Sequence, residues 1–326
     1  MIRSFLTLAI ASCLFISASA TEPTKKTYDD PANVDADYAY QGEYLGEVER
    51  KEGKNTLGIQ VVALGNGKFY AISYDGGLPG EWKRGGSSHN GRGELKDGVL
   101  RIGGDQFTAI IKPEEITIEN DEGKKLGTLK KTHRESPTLG AKPPAGAVVL
   151  FDGSGTEAFP GAKMSEDKLL IAGATSKQKF QNCKLHIEFR TPYQPDSSGQ
   201  GRGNSGVYLQ GRFEVQVLDS FGLDGKHNEC GGIYTTRQPD VNMCFPPLTW
   251  QTYDIDFAAA KFEGDKKISP AKITVKHNGV VIHENVELNK TTTAAPVKDG
   301  PDAGPLYLQN HGNPVRFRNI WIVEKK

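Results

Sequence analysis

The sequence predicts an all-β protein of two modules, a small N-terminal β domain followed by a C-terminal two-sheet sandwich of the jelly-roll type. Three observations carry that expectation. Short β-branched segments punctuated by Gly, Asn and Asp fill the chain, helical periodicity is almost absent, and a proline-bearing stretch at residues 136–146 separates short strands from longer, more regular ones. A chain of 326 residues also exceeds the roughly 100 to 200 residues that a single core usually supports.

Residues 1–20 read as an export signal, with Arg3 as the positive start, Phe5 to Ile16 as the apolar stretch and Ala18-Ser19-Ala20 as the cleavage site. The expected destination is the periplasm or the exterior. Ile10-Ala11-Ser12-Cys13 also resembles a lipoprotein cleavage box, but a cut there leaves a short apolar region and strands Leu14-Phe15-Ile16 after it, so soluble export is preferred. Residues 21–37 are polar and proline-bearing, the composition of a flexible leader.

In the accessory domain, residues 38–135, the segments Leu57 to Leu64, Lys68 to Tyr74, Val99 to Ile102, Phe107 to Ile111 and Glu115 to Ile118 read as strands. Gly76-Gly77, Gly85-Gly86, Gly91 and Gly93 follow no phosphate-loop spacing and read as turns. Residues 136–146, with Pro137, Pro143 and Pro144, have linker composition. From residue 147 the strand candidates lengthen: Lys184 to Arg190, Gly206 to Gln210, Phe213 to Leu218, Thr252 to Phe257, Ala271 to His277, Leu306 to Asn310 and Val315 to Val323 among them. His277-Asn278-Gly279-Val280 is a type I′ hairpin signal, because Asn-Gly tolerates positive φ at both central positions.

Forty basic and forty acidic residues give a formal net charge of zero, with no electrostatic footprint for nucleic acid. No internal apolar run approaches the ~20 residues of a membrane span, so the expected partner is neutral and soluble. Three cysteines remain after cleavage. Cys183 shares parity with Leu185, Ile187 and Phe189 and reads as a buried free thiol, while Cys230 and Cys244 bracket a short loop that a disulfide could close.

The most informative segment runs from Asn204 to Asp219. Val207, Leu209, Phe213, Val215 and Val217 fall on one parity, and Asn204, Tyr208, Gln210, Arg212, Glu214 and Gln216 on the other. Gly211 permits a turn between two strands, and parity survives that turn only if the loop is odd in length or bulged. A face of Tyr, Gln, Arg and Glu suits hydrogen bonding to a polyhydroxylated ligand; the alternative is an exposed outer face of a sandwich.

Several blocks, in order, carry a resemblance. Val149-Leu150-Phe151-Asp152-Gly153, Ile187-Glu188-Phe189-Arg190, the stretch from Asn204 to Ser220, Cys230-Gly231-Gly232-Ile233-Tyr234, Trp250-Gln251-Thr252-Tyr253-Asp254-Ile255 and Leu308-Gln309-Asn310-His311-Gly312-Asn313-Pro314 resemble the bacterial 3-keto-disaccharide hydrolase domain family. The resemblance covers residues 147–326 and leaves residues 38–135 outside it. It implies a concanavalin A-like sandwich and cleavage of glycosides whose sugar carries a ketone at carbon 3. It also implies, as a functional partner, an oxidoreductase that makes the keto sugar.

Ordinary glycoside hydrolysis needs two carboxyl groups flanking the bond. In the similarly folded family 16 glucanases the acids alternate along one strand, whereas that phase here gives Glu214, Gln216 and Leu218, a single carboxylate. A ketone at carbon 3 acidifies the proton on carbon 2, so one base and donors aimed at the carbonyl oxygen suffice for β-elimination, with water adding afterwards. His311 is the leading candidate for base or acid, because Tyr307, Gln309 and His311 share parity at the end of a strand; a loop histidine satisfied by backbone is the alternative. Glu214 is the second candidate, as base or metal ligand, against a structural carboxylate paired with Arg202 or Arg212. Arg202, Asn204, Tyr208, Gln210, Gln216 and Gln309 are candidate sugar-binding groups, and Tyr234 adds a stacking face. His227 lies in a loop that could overhang the same face. His186 and His283 alternate with apolar neighbours and are expected to face solvent or the opposite sheet, and Trp250 and Trp321 to join the core. No cofactor is required to write this chemistry, and no cation-binding loop of recognisable spacing occurs, although a divalent cation is compatible with it. A lectin on the same fold is the competing reading, with a conventional two-carboxylate glucanase third.

Overall fold

The protein is described from a computed structural model, which covers residues 25–104 and 107–325. The export signal of residues 1–20 lies outside the described residues. The described chain is all-β: antiparallel sheets joined by turns, with two short 3-10 segments.

Eight strands form the N-terminal module: β1 (Gly42–Arg50), β2 (Gly53–Ala63), β3 (Lys68–Asp75), β4 (Ser88–Lys96), β5 (Val99–Gly103), β6 (Phe107–Lys112), β7 (Glu115–Asn120) and β8 (Lys125–Thr132). Each pairs with the next, and β8 returns to β1 to close an up-and-down barrel. Closure removes the free edges that an eight-stranded sheet would otherwise expose. Tyr44, Leu57, Val61, Phe69, Ile111 and Leu129 are buried in one cluster, so the barrel encloses packed side chains.

Five of these strands are legible in the sequence; β1, β4 and β8 are not. β4 reads Ser-His-Asn-Gly-Arg-Gly-Glu-Leu-Lys, with Leu95 as its one apolar residue, and pattern recognition has nothing to hold. Gly91 and Gly93, expected as turns, sit inside this strand. A Cβ on Gly93 would lie 2.2 Å from the Arg101 carbonyl oxygen, so glycine there lets β4 cross close over β5.

The C-terminal module contains β9 (Val148–Phe151), β10 (Leu170–Ile171), β11 (Ala174–Phe180), β12 (Cys183–Arg190), β13 (Ser205–Leu209), β14 (Phe213–Val217) and β15 (Gln251–Ala258). It continues with β16 (Lys261–Glu263), β17 (Lys266–Ser269), β18 (Ala271–His277), β19 (Val280–Leu288), β20 (Gly304–Leu308) and β21 (Arg316–Glu324). One sheet runs β10-β21-β12-β15-β18-β19, with β9 on β21; the other runs β11-β20-β13-β14. The core between them takes the odd-numbered positions of β12 and β14, Leu185, Ile187, Phe189, Val215 and Val217, with Phe257 from β15. Asn278 and Gly279 have φ of 49° and 81°, giving the expected two-residue turn between β18 and β19.

The joint between the modules is ordered in ways composition does not suggest. Residues 136–146 lie as a belt across the outer face of the larger sheet: Ser136 Oγ is 2.6 Å from Thr252 Oγ1, Thr138 Oγ1 donates to Asp254 (2.6 Å), and Gly140 N–H donates to Glu188 (2.6 Å). Pro137, which looks like spacer material, helps fix the belt by occupying the space above Gly279, where a Cβ would come within 2.4 Å. Part of the leader is tied down as well, since Tyr28 exchanges backbone hydrogen bonds with Tyr193 and stacks on its ring at 5.5 Å. Arg84 bridges the modules by donating to the carbonyls of Asp224, Gly225 and Pro239.

His186 and His283, expected to face solvent or the opposite sheet, are fully buried and not solvent-facing, because the belt and the Cys230 loop cover them. Trp321 stacks on His186 and donates to Ala141 O beneath the belt, and Trp250 carries the Arg318 guanidinium 4.0 Å above its ring; both are half-buried. Cys183 is a buried free thiol as expected, and Cys230 and Cys244 are also free, without the disulfide their spacing allows. Cys230 Sγ lies 3.2 Å from the Tyr253 hydroxyl instead.

Candidate active site

The polar face identified in the sequence belongs to the β13–β14 hairpin. Its turn, Gln210-Gly211-Arg212, has three residues, with Leu209 opposite Phe213 and Tyr208 opposite Glu214. The odd length keeps parity, and φ values of 56° at Gln210 and 62° at Gly211 make the short reversal. The face is not the exposed outside of a sandwich. Asn204, Tyr208, Gln210, Arg212, Glu214 and Gln216 are all buried, because the loops around residues 199–204, 225–236 and 290–300 fold over them.

At the centre stands Glu214. Its Oε2 accepts the Tyr208 hydroxyl at 2.7 Å, and the Gln309 side-chain amide donates to that hydroxyl at 3.2 Å. Thr292 Oγ1 accepts the Glu214 backbone N–H at 3.1 Å and so fixes the base of the side chain. Neither arginine weighed as its partner reaches it. Arg202 pairs with Asp219 (2.6 Å), and Arg212 donates to the carbonyls of Lys298 and Asp302 and to Gln210 Oε1. Burial without a cation therefore dominates, and pushes the Glu214 carboxyl up from 4.5 to about 7 despite the opposing hydrogen bond from Tyr208. Tyr208 itself is pushed far up, first by burial and then by the Glu214 charge, so it stays a protonated donor.

Around this dyad lie neutral amides and phenols. Gln216 Nε2 donates to Gln200 Oε1 (3.1 Å) and, more weakly, to Asn204 Oδ1 (3.4 Å), while Gln216 Oε1 is buried with no partner. Tyr307 packs against Tyr208 with ring centroids 5.3 Å apart, and Tyr234, half-buried, donates its backbone N–H to Glu214 O. Gly206 sits between Asn204 and Tyr208 on the same parity, and a Cβ there would come 2.2 Å from Glu214 Oε1. The glycine is the clearance into which the carboxylate folds.

The structure thus brings together Glu214, Tyr208, Gln309, Asn204 and Gln216. It sends Gln210 and Arg212 to the far end of the hairpin, where Gln210 Nε2 binds Phe180 O and Gln181 Oε1. Arg202 lies at the opposite end with Asp219. His311 is exposed in the loop after β20, which ends at Leu308, so it does not continue the strand; His227 is exposed too. Neither imidazole has a hydrogen bond to the dyad among the described residues. Gln200, Tyr307, Thr292 and Gly206 are members that sequence reasoning passes over. Only Tyr307 carried a signal, its shared parity with Gln309; Gln200 sits in a Gly-Gln-Gly turn with no periodicity. Among the described residues no group of three or more His, Cys, Asp and Glu side chains converges on a metal-sized point. Nor is any described helix long and apolar enough to cross a membrane.

Comparisons with known proteins cover the C-terminal module. Residues 146–323 match the model of the 3-keto-alpha-glucoside-1,2-lyase-like domain, also called the 3-keto-disaccharide hydrolase domain. A solved structure of a candidate glycosyl hydrolase from Parabacteroides distasonis is 35% identical, with a TM-score of 0.50 over 56% of this chain and 85% of its own. Two further candidate glycosyl hydrolases from the same organism are 18% and 21% identical, with TM-scores of 0.41 and 0.40; they cover 56% and 55% of this chain and 94% and 99% of their own. No curated protein matches the chain.

Proposed function

The chain belongs to the 3-keto-disaccharide hydrolase domain family, and on that premise we propose that it cleaves the glycosidic bond of 3-keto-glycosides by β-elimination, with Glu214 as the base. The observation that carries the reading is the Glu214 carboxylate, buried with a phenol and amides but no cation and raised to about 7. A general base works best with a pKa near the operating pH. Among the described residues no second carboxylate is hydrogen-bonded to Glu214, Tyr208, Gln309 or Gln216, which favours a one-base reaction over a two-carboxylate hydrolysis.

In the proposed reaction Glu214 takes the proton from carbon 2, which the neighbouring ketone has acidified. The electron pair forms the C1–C2 double bond as the C1–O bond breaks, and negative charge gathers transiently on the carbon 3 oxygen. The Gln309 amide, which spends one N–H on Tyr208, is the donor assigned to the sugar oxygens, with Asn204 and Gln216 locked to Gln200 beside it, and the orphaned Gln216 Oε1 is the acceptor for a hydroxyl. The departing oxygen needs a proton, for which His311, two residues beyond Gln309 and exposed, is the proposed donor. Water then adds across the double bond, hydroxyl to carbon 1 and hydrogen to carbon 2, to give the free 3-keto sugar. Glu214 is preferred over His311 as base because it alone is held in a fixed hydrogen-bond geometry. The proposed setting is an exported enzyme fed by a sugar 3-oxidoreductase.

The test is product formation from a 3-keto-glucoside and its unoxidised parent by the wild type and by the Glu214→Gln and His311→Ala variants. Turnover of the keto form alone, abolished in Glu214→Gln and only slowed in His311→Ala, is expected. Binding of the parent sugar without turnover of either compound would instead mark a lectin.

A further inference from the structure

Outside this site, one unexplained feature lies where the two modules meet. A cavity of about 330 Å³ opens between the barrel and the sandwich. Tyr70 of β3 and Arg92 of β4 line it from the barrel side; Ser198, Arg202, Asp219 and Lys226 line it from the sandwich. Leu223, which borders it, is a large apolar side chain left 37% exposed.

Its polar groups are unevenly satisfied. The acids are occupied: Asp219 by Arg202, Asp224 by Lys226 at 3.7 Å, and Glu229 by the backbone N–H groups of Gly225 and Lys226. Arg92 has only the Tyr70 ring, 5.7 Å from its guanidinium carbon, and no carboxylate among the described residues. Arg202, itself 6% exposed, keeps Nη2 buried without a partner. Unused donors beside an aromatic ring and an apolar side chain suit a ligand rich in hydroxyl acceptors with an apolar ring face, which is a sugar.

The cavity is also coupled to Glu214 through two loops. Ser198 and Gly199 face the cavity, while the next residue, Gln200, holds Gln216 and donates to Asn228 O. Lys226 and Glu229 face the cavity, and the same loop runs on to Tyr234, which binds the Glu214 carbonyl. Five residue steps separate Glu214 from Asp219, at most about 17 Å at the rise of a strand, or a few sugar rings.

We propose that this cavity binds the leaving-group sugar of the substrate, so that the barrel is a specificity element of the enzyme. The proposal rests on the reading of Glu214 as the site of glycoside cleavage, and it gives Arg202 a place at the distal subsite.

Two variants test it: Arg92→Ala, which removes an exposed side chain, and Ser198→Trp, which fills the cavity. The first readout is the ratio of kcat/KM for a 3-keto-disaccharide to that for its methyl 3-keto-glucoside analogue. The second is calorimetric binding of the unoxidised disaccharide, which does not depend on turnover. A fall of at least fivefold in the ratio and a fivefold weaker binding in both variants are expected. An unchanged ratio with unchanged binding overturns the proposal. Should the wild type turn over neither keto substrate, the cleavage reading fails, and calorimetry alone decides the cavity: weakened binding in the variants sustains it as a sugar site and unaltered binding removes it.

Discussion

Two buried glutamates, one on each sheet of the sandwich, have opposite fates. Glu188 on β12 and Glu214 on β14 each point away from the shared apolar core, and both are almost completely buried. At Glu188 burial is the largest single influence and pushes the carboxyl up. Hydrogen bonds from His186, Asn319, Arg318 and the Gly140 N–H together outweigh it, and hold the group at about 2. His186 follows the same logic: burial pushes it down, but Asp254 at 2.7 Å and Glu188 raise it on balance. At Glu214 there is one neutral donor, and burial wins. The difference teaches that a cation and a ring of donors turn a buried carboxylate into a structural clasp, whereas phenol and amide neighbours leave it reactive.

Glu214→Gln is the sharpest way to break this comparison. Removing the base is expected to lower kcat/KM on a 3-keto-glycoside by about 10³-fold. The same change should make the fold more stable in alkali by about 1–3 kcal/mol, because a neutral amide no longer has to ionise in an apolar site. The sign follows from the raised carboxyl: the contribution of protonated Glu214 is complete below 4.5 and is lost as pH rises through about 7. Urea unfolding of both proteins at pH 5 and pH 9 checks it, with the two curves converging at the lower pH.

Glu188→Gln should do the reverse, costing about 3 kcal/mol at neutral pH by leaving Arg318 without its anion and the buried His186 with Asp254 alone. Its contribution is present above 4.5 and lost as pH falls toward about 2, so wild type and variant should approach each other in acid. Gly206→Ala sharpens the geometry of the reactive side. The new methyl must displace Glu214 Oε1, and a loss of turnover on the order of 30-fold is expected with the hairpin intact, checked by steady-state kinetics beside circular dichroism. Smallest is Tyr208→Phe. Its hydroxyl lowers the Glu214 carboxyl against burial, so its removal should shift the rising limb of the pH–kcat/KM profile to the alkaline side while rate falls about tenfold.

The same pair of glutamates shows what was legible beforehand. Strict alternation from Val207 to Val217 disclosed the sheet, its two faces and the odd turn, since side chains in a strand alternate whatever covers them. Burial of the polar face was not legible, because the loops that cover it carry no period. For the same reason Gln200 and Thr292 escaped notice and the exposed His311 looked like the end of a strand. On the other sheet, the burial of His186 against Asp254 was not legible because the belt that covers them has the composition of a linker. Five of the eight barrel strands were visible: β2, β3, β5, β6 and β7 alternate in apolar residues, while β1, β4 and β8 give those positions to glycine where neighbouring backbones crowd them, as at Gly46 against the Thr128 carbonyl.

The most direct test of the central claim is the fate of deuterium placed at carbon 2 of a 3-keto-glucoside cleaved by the wild-type protein in ordinary water. Elimination by Glu214 predicts a 3-keto sugar that has exchanged its deuterium for solvent hydrogen, together with a primary isotope effect on kcat/KM, both lost with turnover in Glu214→Gln. Cleavage that keeps all the deuterium at carbon 2 and shows no isotope effect would contradict it, and would make the reaction a direct displacement at carbon 1.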